Sequence, residues 1–331
     1  MKRILVVGGA GYIGGYVTDR LLQAGYPVRV YDNLLYEEKY LKEVDFVRGD
    51  VLDKERLRPH LSWADAVVWL AALVGDGACA LNPTMTEAIN HDILKWVVRV
   101  FDRRLVFMST CSVYGAQDGI LNEDSPVNPL SLYAKTKVEA EKVVAPANAI
   151  TFRLGTIFGV GDRFSRLRLD LVVNLLTVKA CLYRRMSVYG GAQYRPLLHV
   201  KDVAEAIVPN IETTHRGVYN LLVTNMTILD AAQQITQLIP GVKIETTELQ
   251  FQDARNYRVS GEKARAAFGF QPKLTVLDGI REIKTLTEEG RISDIYNTRY
   301  SNAEYLRPLL KRDISPLGYE VVPDFQDRRA A

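Results

Sequence analysis

Residues 3–14 read RILVVGGAGYIG, and this stretch decides the fold. It opens with an apolar run, which indicates a buried strand. The glycines that follow fit the spacing G-x-x-G-x-x-G through Gly8, Gly11 and Gly14, and also G-x-G-x-x-G when Gly9 comes first. Glycine accepts the positive φ of a tight turn and lets backbone N–H groups approach a pyrophosphate at a helix N-terminus. The stretch therefore predicts a strand, a phosphate-binding loop and a helix, in that order.

An acidic residue ends the next apolar run, about 20 residues beyond the glycines, as a dinucleotide site requires. This is Asp32, whose carboxylate can accept hydrogen bonds from the adenosine ribose and would repel a 2′-phosphate. NAD is therefore predicted in preference to NADP; a turn aspartate before Asn33 is the alternative. Asp50 and Val51 follow a third apolar run, where Asp50 could meet the adenine. The alternative there is a helix N-cap at Asp50 or Asp53.

Short apolar runs alternate with helical patterns through the first half of the chain. Strands are predicted at 3–7, 28–31, 46–48, 66–70, 105–108 and 150–153, with helices including 12–24, 84–101 and 131–144. This alternation predicts an α/β fold, a Rossmann-like doubly wound parallel sheet, with a smaller, mainly helical substrate-binding domain. We assign residues 1–160 and 192–222 to the dinucleotide-binding domain, and residues 161–191 and 223–331 to the second domain and a C-terminal tail. The tail beyond Gly290 carries no motif.

The composition argues against several classes of protein. A net charge of +3 is too small to indicate nucleic acid or an anionic membrane as a partner. The longest apolar run, 66–75, is about half a membrane span, and the N-terminal run stops too early for a signal peptide. Three cysteines without a C-x-x-C pattern and four histidines without ligand spacing predict no disulfide framework and no metal site. A cytoplasmic protein is expected.

A second motif carries candidate catalytic groups. In SLYAKTK, residues 131–137, Tyr133 and Lys137 are four residues apart and so share one face of a helix. A phenol with a pKa of about 10 is a poor base until a cation stabilises its anion. The preceding run ends FMSTCSVYG and places Ser109, Thr110 and Ser112 at the carboxyl edge of the sheet, where ligands bind. A hydroxyl there could hold a sugar hydroxyl against the phenol; the alternative is a turn that only caps the strand.

Together, these motifs and the later RPLLHVKDV resemble the extended short-chain dehydrogenase/reductase family, in particular its nucleotide-sugar epimerases and dehydratases. Within this group, the chain resembles UDP-glucose 4-epimerase-like enzymes and GDP-heptose 4-dehydrogenases. The resemblance implies that Tyr133 is the general base, Lys137 its pKa partner and ribose anchor, and Thr110 the hydroxyl that orients the substrate. It implies NAD as cofactor, held by Gly8, Gly11, Tyr12, Ile13, Gly14, Asp32, Asn33, Asp50, Val51, Leu70, Ala71, Ala72 and Lys137.

The same resemblance implies a nucleotide-diphosphate sugar as substrate. Arg195, which opens RPLLHVKDV, aligns with a diphosphate-binding arginine, and Arg255 resembles a second; surface charges are the alternative. A guanidinium suits both places because it binds phosphate through two parallel hydrogen bonds. Asn174 lies in RLRLDLVVN, which resembles the segment that wraps the nucleotide base in these enzymes and also resembles GDP-heptose 4-dehydrogenases. The implied substrate-binding residues are Thr110, Ser112, Tyr133, Asn174, Arg195 and Arg255.

The residues after Thr110 discriminate between reactions. Dehydratases of this family carry Asp-Glu directly after the threonine, and decarboxylases carry Glu at the second position, whereas this chain has Cys111 and Ser112. Neither replaces a carboxyl pair with tuned pKa values, so dehydration is disfavoured. The 3,5-epimerases use a cysteine two residues before the tyrosine of this motif. Cys111 comes three residues before Tyr114, and we expect it to pack as a small buried side chain.

The reaction that remains is hydride transfer at a sugar carbinol. We predict an NAD-dependent nucleotide-sugar 4-epimerase, in which Tyr133 removes the 4-hydroxyl proton while NAD takes the hydride. A net 4-dehydrogenase or 4-ketoreductase, including one acting on GDP-heptose, stays open. A catalytically silent NAD-binding module is disfavoured by the intact Tyr133 and Lys137 pair. A homodimer is also expected, because helices 84–101 and 131–144 are long enough to form a four-helix interface.

Overall fold

The computed structural model describes residues 1–247 and 255–310. The described strands are β1 (Ile4–Val7), β2 (Val28–Asp32), β3 (Asp45–Arg48), β4 (Ala66–Trp69), β5 (Arg104–Thr110), β6 (Ala116–Leu121), β7 (Ala149–Leu154), β8 (Thr156–Phe158), β9 (Arg185–Tyr189), β10 (Tyr194–His199), β11 (Gly217–Leu221), β12 (Thr224–Thr227), β13 (Lys243–Thr247) and β14 (Asn256–Val259). The described α-helices are α1 (Gly14–Gln23), α2 (Lys54–Trp63), α3 (Asp76–Leu81), α4 (Pro83–Glu87), α5 (Ile93–Val100), α6 (Leu132–Val144), α7 (Val172–Tyr183), α8 (Asp202–Ile207), α9 (Ile228–Leu238), α10 (Glu262–Phe268), α11 (Val276–Glu288) and α12 (Asn302–Leu310).

Seven parallel strands form the main sheet in the order β11-β7-β5-β4-β1-β2-β3. Every residue of β1 and β4 is buried, because hydrophobic clusters cover both faces of the sheet. This burial explains the continuous apolar runs in the sequence. The sheet confirms the predicted Rossmann-like, doubly wound fold. Strand order reverses between β1 and β4, which creates a crevice at their carboxyl ends.

The helices that flank the crevice lie close to the predicted bounds. The predicted helix 131–144 is α6, and Ser131 caps it by accepting a hydrogen bond from the Ala134 N–H at 3.2 Å. The predicted helix 84–101 is not regular: a π-helical turn, Ala88–Asp92, separates α4 from α5. Asn90 on this turn is buried and bonds to both backbone groups of Leu73.

The smaller part of the molecule contains strands as well as helices. Helices α7, α9 and α11 share a hydrophobic core with β9 and β10. Strand β10 pairs with β8 and, antiparallel, with β12, whereas α8 and β11 pack with the main sheet. The assignment of residues 192–222 to the dinucleotide-binding domain stays a prediction. No described helix combines the length and the hydrophobicity that a membrane crossing requires.

The tail without a sequence motif also forms structure. After a 3₁₀ turn, Thr298–Tyr300, α12 packs against α3. Leu306 of α12 is completely buried, in one cluster with Leu73, Ala78 and Cys79. The tail thus adds to the core beside the crevice.

Candidate active site

One cleft of about 1430 Å³ lies at the carboxyl ends of the main-sheet strands. Both parts of the molecule line it, and it contains every site residue predicted above except Asn174. The structure therefore brings together residues that are far apart in sequence, such as Gly8, Tyr133 and Arg255. Among the described residues, no group of three or more His, Cys, Asp and Glu side chains is placed to bind a metal ion.

The glycine loop forms one end of the cleft. Gly8 has a φ of 85°, and a Cβ there would lie 2.5 Å from the Ala71 nitrogen. A Cβ on Gly14 would lie 2.6 Å from the Gly8 oxygen, so both glycines are required by close packing. On Gly11, by contrast, a Cβ would meet only that oxygen, at 3.4 Å. The side of the loop at Gly11 is open, which lets a phosphate group approach the N-terminus of α1.

Asp32 lies beside this loop. Its Oδ2 accepts a hydrogen bond from the Ala10 N–H at 3.0 Å, and its Oδ1 accepts one from the Leu34 N–H at 2.7 Å. Burial raises the pKa of this carboxyl, while the two backbone hydrogen bonds lower it. Each carboxylate oxygen has a second lone pair, so Asp32 can still accept from a ligand hydroxyl.

Asp50 and Asn33 support the neighbouring wall. Asn33 Nδ2 donates to Asp50 Oδ2 at 3.1 Å, and the Leu52 N–H donates to Asp50 Oδ1 at 2.9 Å. The helix cap considered as an alternative is Asp53, which accepts from the Arg56 N–H. Asp50 therefore orders the loop that lines the cleft, beside Val51.

Tyr133 and Lys137 enter the cleft from α6. Lys137 is 3% exposed and donates to the Met108 carbonyl at 2.9 Å, and burial lowers its pKa to about 8. Burial raises the pKa of the Tyr133 phenol, while a hydrogen bond with Thr110 and the nearby Arg168 guanidinium lower it. Arg168 is itself paired with Asp170 at 3.0 Å, and the pairing of Lys137 with Tyr133 stays a prediction.

Thr110 has two contacts. Its Oγ1 accepts the Ser112 N–H at 3.1 Å and so caps the 3₁₀ turn Cys111–Tyr114, as the alternative interpretation expects, while it also faces Tyr133 in the cleft. Cys111 lies outside the cleft lining and is completely buried, with its Sγ donating to the Arg153 carbonyl at 3.3 Å. The expectation that Cys111 packs in the interior is confirmed.

The two predicted phosphate-binding arginines lie next to each other. Arg195 donates from Nη1 to the Arg255 carbonyl, and both side chains line the cleft. Arg255 donates to Ser112 Oγ at 3.0 Å and forms an ion pair with Asp76 at 3.3 Å. Arg255 thus links the smaller part of the molecule to α3 across the cleft.

Asn174 is the exception among the predicted site residues. The face of α7 that lines the cleft carries Val172, Leu175, Leu176 and Lys179, which follow helical spacing. Asn174 points to the other side and is completely buried. Its Oδ1 accepts from the Gly159 N–H at 2.9 Å, and its Nδ2 donates to the Arg168 carbonyl at 2.9 Å. In this structure it supports the cleft wall and does not face the ligand space.

Sequence reasoning missed several residues that line the cleft. They include Asp76, Arg166, Arg168, Asp170 and, from the tail, Ser301, Asn302 and Ala303. The crowding of arginines in 163–168 was a visible signal for this segment. The tail residues had no such signal, because only the folded chain brings them to the cleft.

Comparison with known proteins gives a consistent result. Residues 4–221 match the model of the NAD dependent epimerase/dehydratase family. The UDP-glucose 4-epimerase of Azospirillum brasilense is 28% identical over 313 residues, covering 84% of this chain and 89% of that protein. The UDP-glucuronic acid decarboxylase 1 of Danio rerio is 26% identical over 303 residues, covering 85% of this chain and 71% of that protein.

Solved structures show the same fold. The UDP-glucose 4-epimerase of Thermus thermophilus, in complex with NAD, superposes with a TM-score of 0.73 at 25% identity. The match covers 86% of this chain and 98% of that structure. Because these relatives are named for different reactions on nucleotide sugars, similarity alone does not fix the reaction.

Proposed function

Because the chain belongs to the NAD-dependent epimerase/dehydratase family, we propose that it is a nucleotide-sugar 4-epimerase that works by transient oxidation of the sugar 4-hydroxyl. The family is NAD-dependent, which agrees with the cofactor predicted from the sequence. The residues around Tyr133 favour epimerisation among the reactions of this family.

The residues of the cleft fit NAD. The open side of Gly11 and the N-terminus of α1 suit the pyrophosphate, and the remaining lone pairs of Asp32 suit the adenosine ribose. Asp50, Val51 and Lys137 also line this cleft, and the family resemblance assigns the first two to the cofactor and Lys137 to a ribose hydroxyl. Bound there, the cofactor would supply a reversible hydride acceptor for the sugar carbon.

The protein's own part in the reaction is proton transfer and orientation. Tyr133 takes the proton of the 4-hydroxyl, and Thr110, which interacts with the phenol, orients that hydroxyl. Arg195 and Arg255 line the cleft and offer guanidinium donors to the diphosphate. On the return step Tyr133 gives the proton back to the oxygen, after the sugar has turned its other face.

One observation carries the proposal: Tyr133 and Thr110 line the same cleft, and the two positions after Thr110 lack the carboxyl pair that dehydratases use. Cys111 is buried away from the cleft, and Ser112 accepts a hydrogen bond from Arg255. Elimination of water or of carbon dioxide therefore has no tuned acid and base at these two positions. Reversible oxidation at C4 requires only the phenol and the cofactor.

The experiment is direct. Mass spectrometry of the purified protein identifies any retained nucleotide sugar and NAD(H). UDP- and GDP-hexoses and GDP-heptose are then incubated with it, with products followed by NMR and NADH by absorbance. Inverted sugar without accumulating NADH is the expected result. A keto sugar formed with equivalent NADH would contradict epimerisation and identify a 4-dehydrogenase.

A further inference from the structure

The tail supplies part of the cleft wall although it carries no motif. Ser301, Asn302 and Ala303 line the same cleft as the glycine loop. We call the segment 298–310, the 3₁₀ turn and α12 together, the C-terminal strap. Its contacts run to the loops that follow β2 and β4, and these loops flank the place where a dinucleotide binds in such folds.

Asn302 links the strap to the loop after β4 and to the segment 166–170. Its Nδ2 donates to the Val74 carbonyl, in the loop after β4, at 2.8 Å. Its backbone N–H donates to Asp170 Oδ2 at 3.0 Å, and its Oδ1 accepts from Arg166. Asn302 is only 3% exposed, so these hydrogen bonds are made away from competing water.

A second link fastens the strap to the loop after β2. Arg299 forms an ion pair with Glu37 at 3.1 Å, a few residues beyond Asp32. The other oxygen of Glu37 accepts the Arg166 N–H at 2.9 Å, and Arg166 Nη1 donates to the Arg299 carbonyl at 2.6 Å. The strap therefore joins the loops after β2 and β4 directly, through Arg299 and Asn302, and Arg166 bonds to both of these residues.

The inner face of α12 is apolar and reaches the catalytic region. Leu306 is completely buried, and the Tyr305 ring lies 5.5 Å from that of Tyr36, centroid to centroid. Tyr133 packs against the same hydrophobic cluster. Moving the strap would expose Leu306 and break the bonds of Asn302, so a closed strap is favoured.

We propose that the C-terminal strap is part of the cofactor site and holds the dinucleotide in the cleft through turnover, with Asn302 as the positioning residue. The inference rests on the proposed function only in taking NAD as the ligand. Retention suits an epimerase, because the hydride taken from a sugar must be returned to the same sugar. Free exchange suits a dehydrogenase, which must discharge its reduced cofactor at every turnover.

The test measures cofactor release and needs no sugar substrate. The NAD-loaded full chain is mixed with an NAD glycohydrolase, which destroys NAD as it leaves, and the protein-bound NAD that remains is followed by mass spectrometry. Asn302→Ala should speed release at least about tenfold, because the bonds to Val74 and Arg166 are lost. Glu304→Ala, on the exposed side of α12, is the matched control and should release NAD at the wild-type rate.

Arg299→Ala is a second, milder variant, which tests the strap if Asn302→Ala does not fold. It removes only a half-exposed ion pair, keeps the backbone carbonyl that Arg166 uses, and should speed release by a smaller factor. Circular dichroism and melting temperature check that each variant is folded at the assay temperature. A variant that melts earlier but releases NAD at the wild-type rate would show that the strap is merely structural.

Three results would overturn the proposal: wild-type release within seconds, no NAD binding at all, or unchanged release in both Asn302→Ala and Arg299→Ala. If Asn302→Ala does not fold, unchanged release in Arg299→Ala is sufficient to reject it. Slow NAD release, with faster release in Asn302→Ala but no turnover of any nucleotide sugar, would support the role of the strap and reject the proposed function. The two failures are thus distinguishable.

Discussion

Tyr133 and Lys137 are subject to the same physical effect with opposite signs. Burial raises the pKa of the phenol and lowers that of the ammonium, so each group alone favours its neutral form. Two opposite charges formed close together stabilise one another and offset part of this cost. The phenolate of Tyr133, which is the form that acts as a base, is therefore easier to form where a cation lies near the phenol, and Arg168 lowers the pKa of the phenol in this sense although it is paired with Asp170.

The first prediction concerns the phenol. Tyr133→Phe should lower turnover on the active nucleotide sugar by about a hundredfold to ten-thousandfold, because the general base is lost. NAD affinity should hardly change, since the phenol acts on the substrate proton. Tyr296→Phe is the control, because Tyr296 is 78% exposed. Initial rates and NAD titrations give both quantities; wild-type turnover by Tyr133→Phe would reject the mechanism.

The second prediction concerns the choice between NAD and NADP. Asp32→Asn should bring the two dissociation constants closer together, because the charge that repels a 2′-phosphate is removed. Asparagine is preferable to alanine here, since its amide oxygen keeps an acceptor for one of the two backbone donors, Ala10 or Leu34. Calorimetric titration with both cofactors measures the difference. Tighter NADP binding by the wild-type protein would contradict the role given to Asp32.

The third prediction concerns stability as a function of pH. The pKa of Lys137 is about 8 in the folded protein and 10.5 without burial, so between these values the unfolded chain binds more protons. Burial of the Lys137 cation lowers the free energy of unfolding below about pH 8. This cost decreases as pH rises and is absent above pH 10.5, where Lys137 is neutral in both states. As pH rises through this range, the free energy of unfolding of the wild-type protein should increase by about 3 kcal/mol relative to that of Lys137→Met. Urea unfolding of both proteins measures it; a flat difference would be the contrary result.

At the scale of elements, the helix that carries the catalytic pair depends on its cap. Ser131→Ala should cost about 1 kcal/mol of stability, because the Ala134 N–H loses its acceptor. It should also lower turnover several-fold, since Tyr133 lies in the first turn of α6. Thr275→Ala removes the cap of α11, which lies outside the cleft lining, and should cost similar stability without loss of turnover. Equal losses of activity would show that the effect is only global.

Elements with strong local signals could be predicted from sequence. The strand, glycine loop and helix at residues 4–23, and α6 with its cap, follow from side-chain types and spacing within a few residues. The rest depends on tertiary contacts. The orientation of Asn174 is set by which face of α7 meets the cleft, and the position of α12 by the burial of Leu306 against Cys79, far away in sequence.

At the scale of the whole molecule, the expected homodimer depends on the outer faces of α4, α5 and α6. These faces expose charges of both signs: Glu87, Lys95 and Arg99 on one side, and Lys135, Glu139 and Lys142 on the other. Two neighbouring pairs, Lys95 with Asp92 and Lys142 with Glu139, are already formed within one chain. A four-helix interface built here would have charged edges, and its strength would depend on salt.

The last prediction follows from that charge pattern. Light scattering at micromolar concentration should show a dimer that weakens as salt is raised, because ion pairs at the edges of an interface are screened. Lys135→Glu should weaken it further, since a dimer axis brings the changed charge in twice. Lys54→Glu makes the same change in net charge on the exposed part of α2 and should leave the dimer intact. A monomeric wild-type protein would contradict the predicted dimer, and equal weakening by both variants would place the interface elsewhere than on α4, α5 and α6.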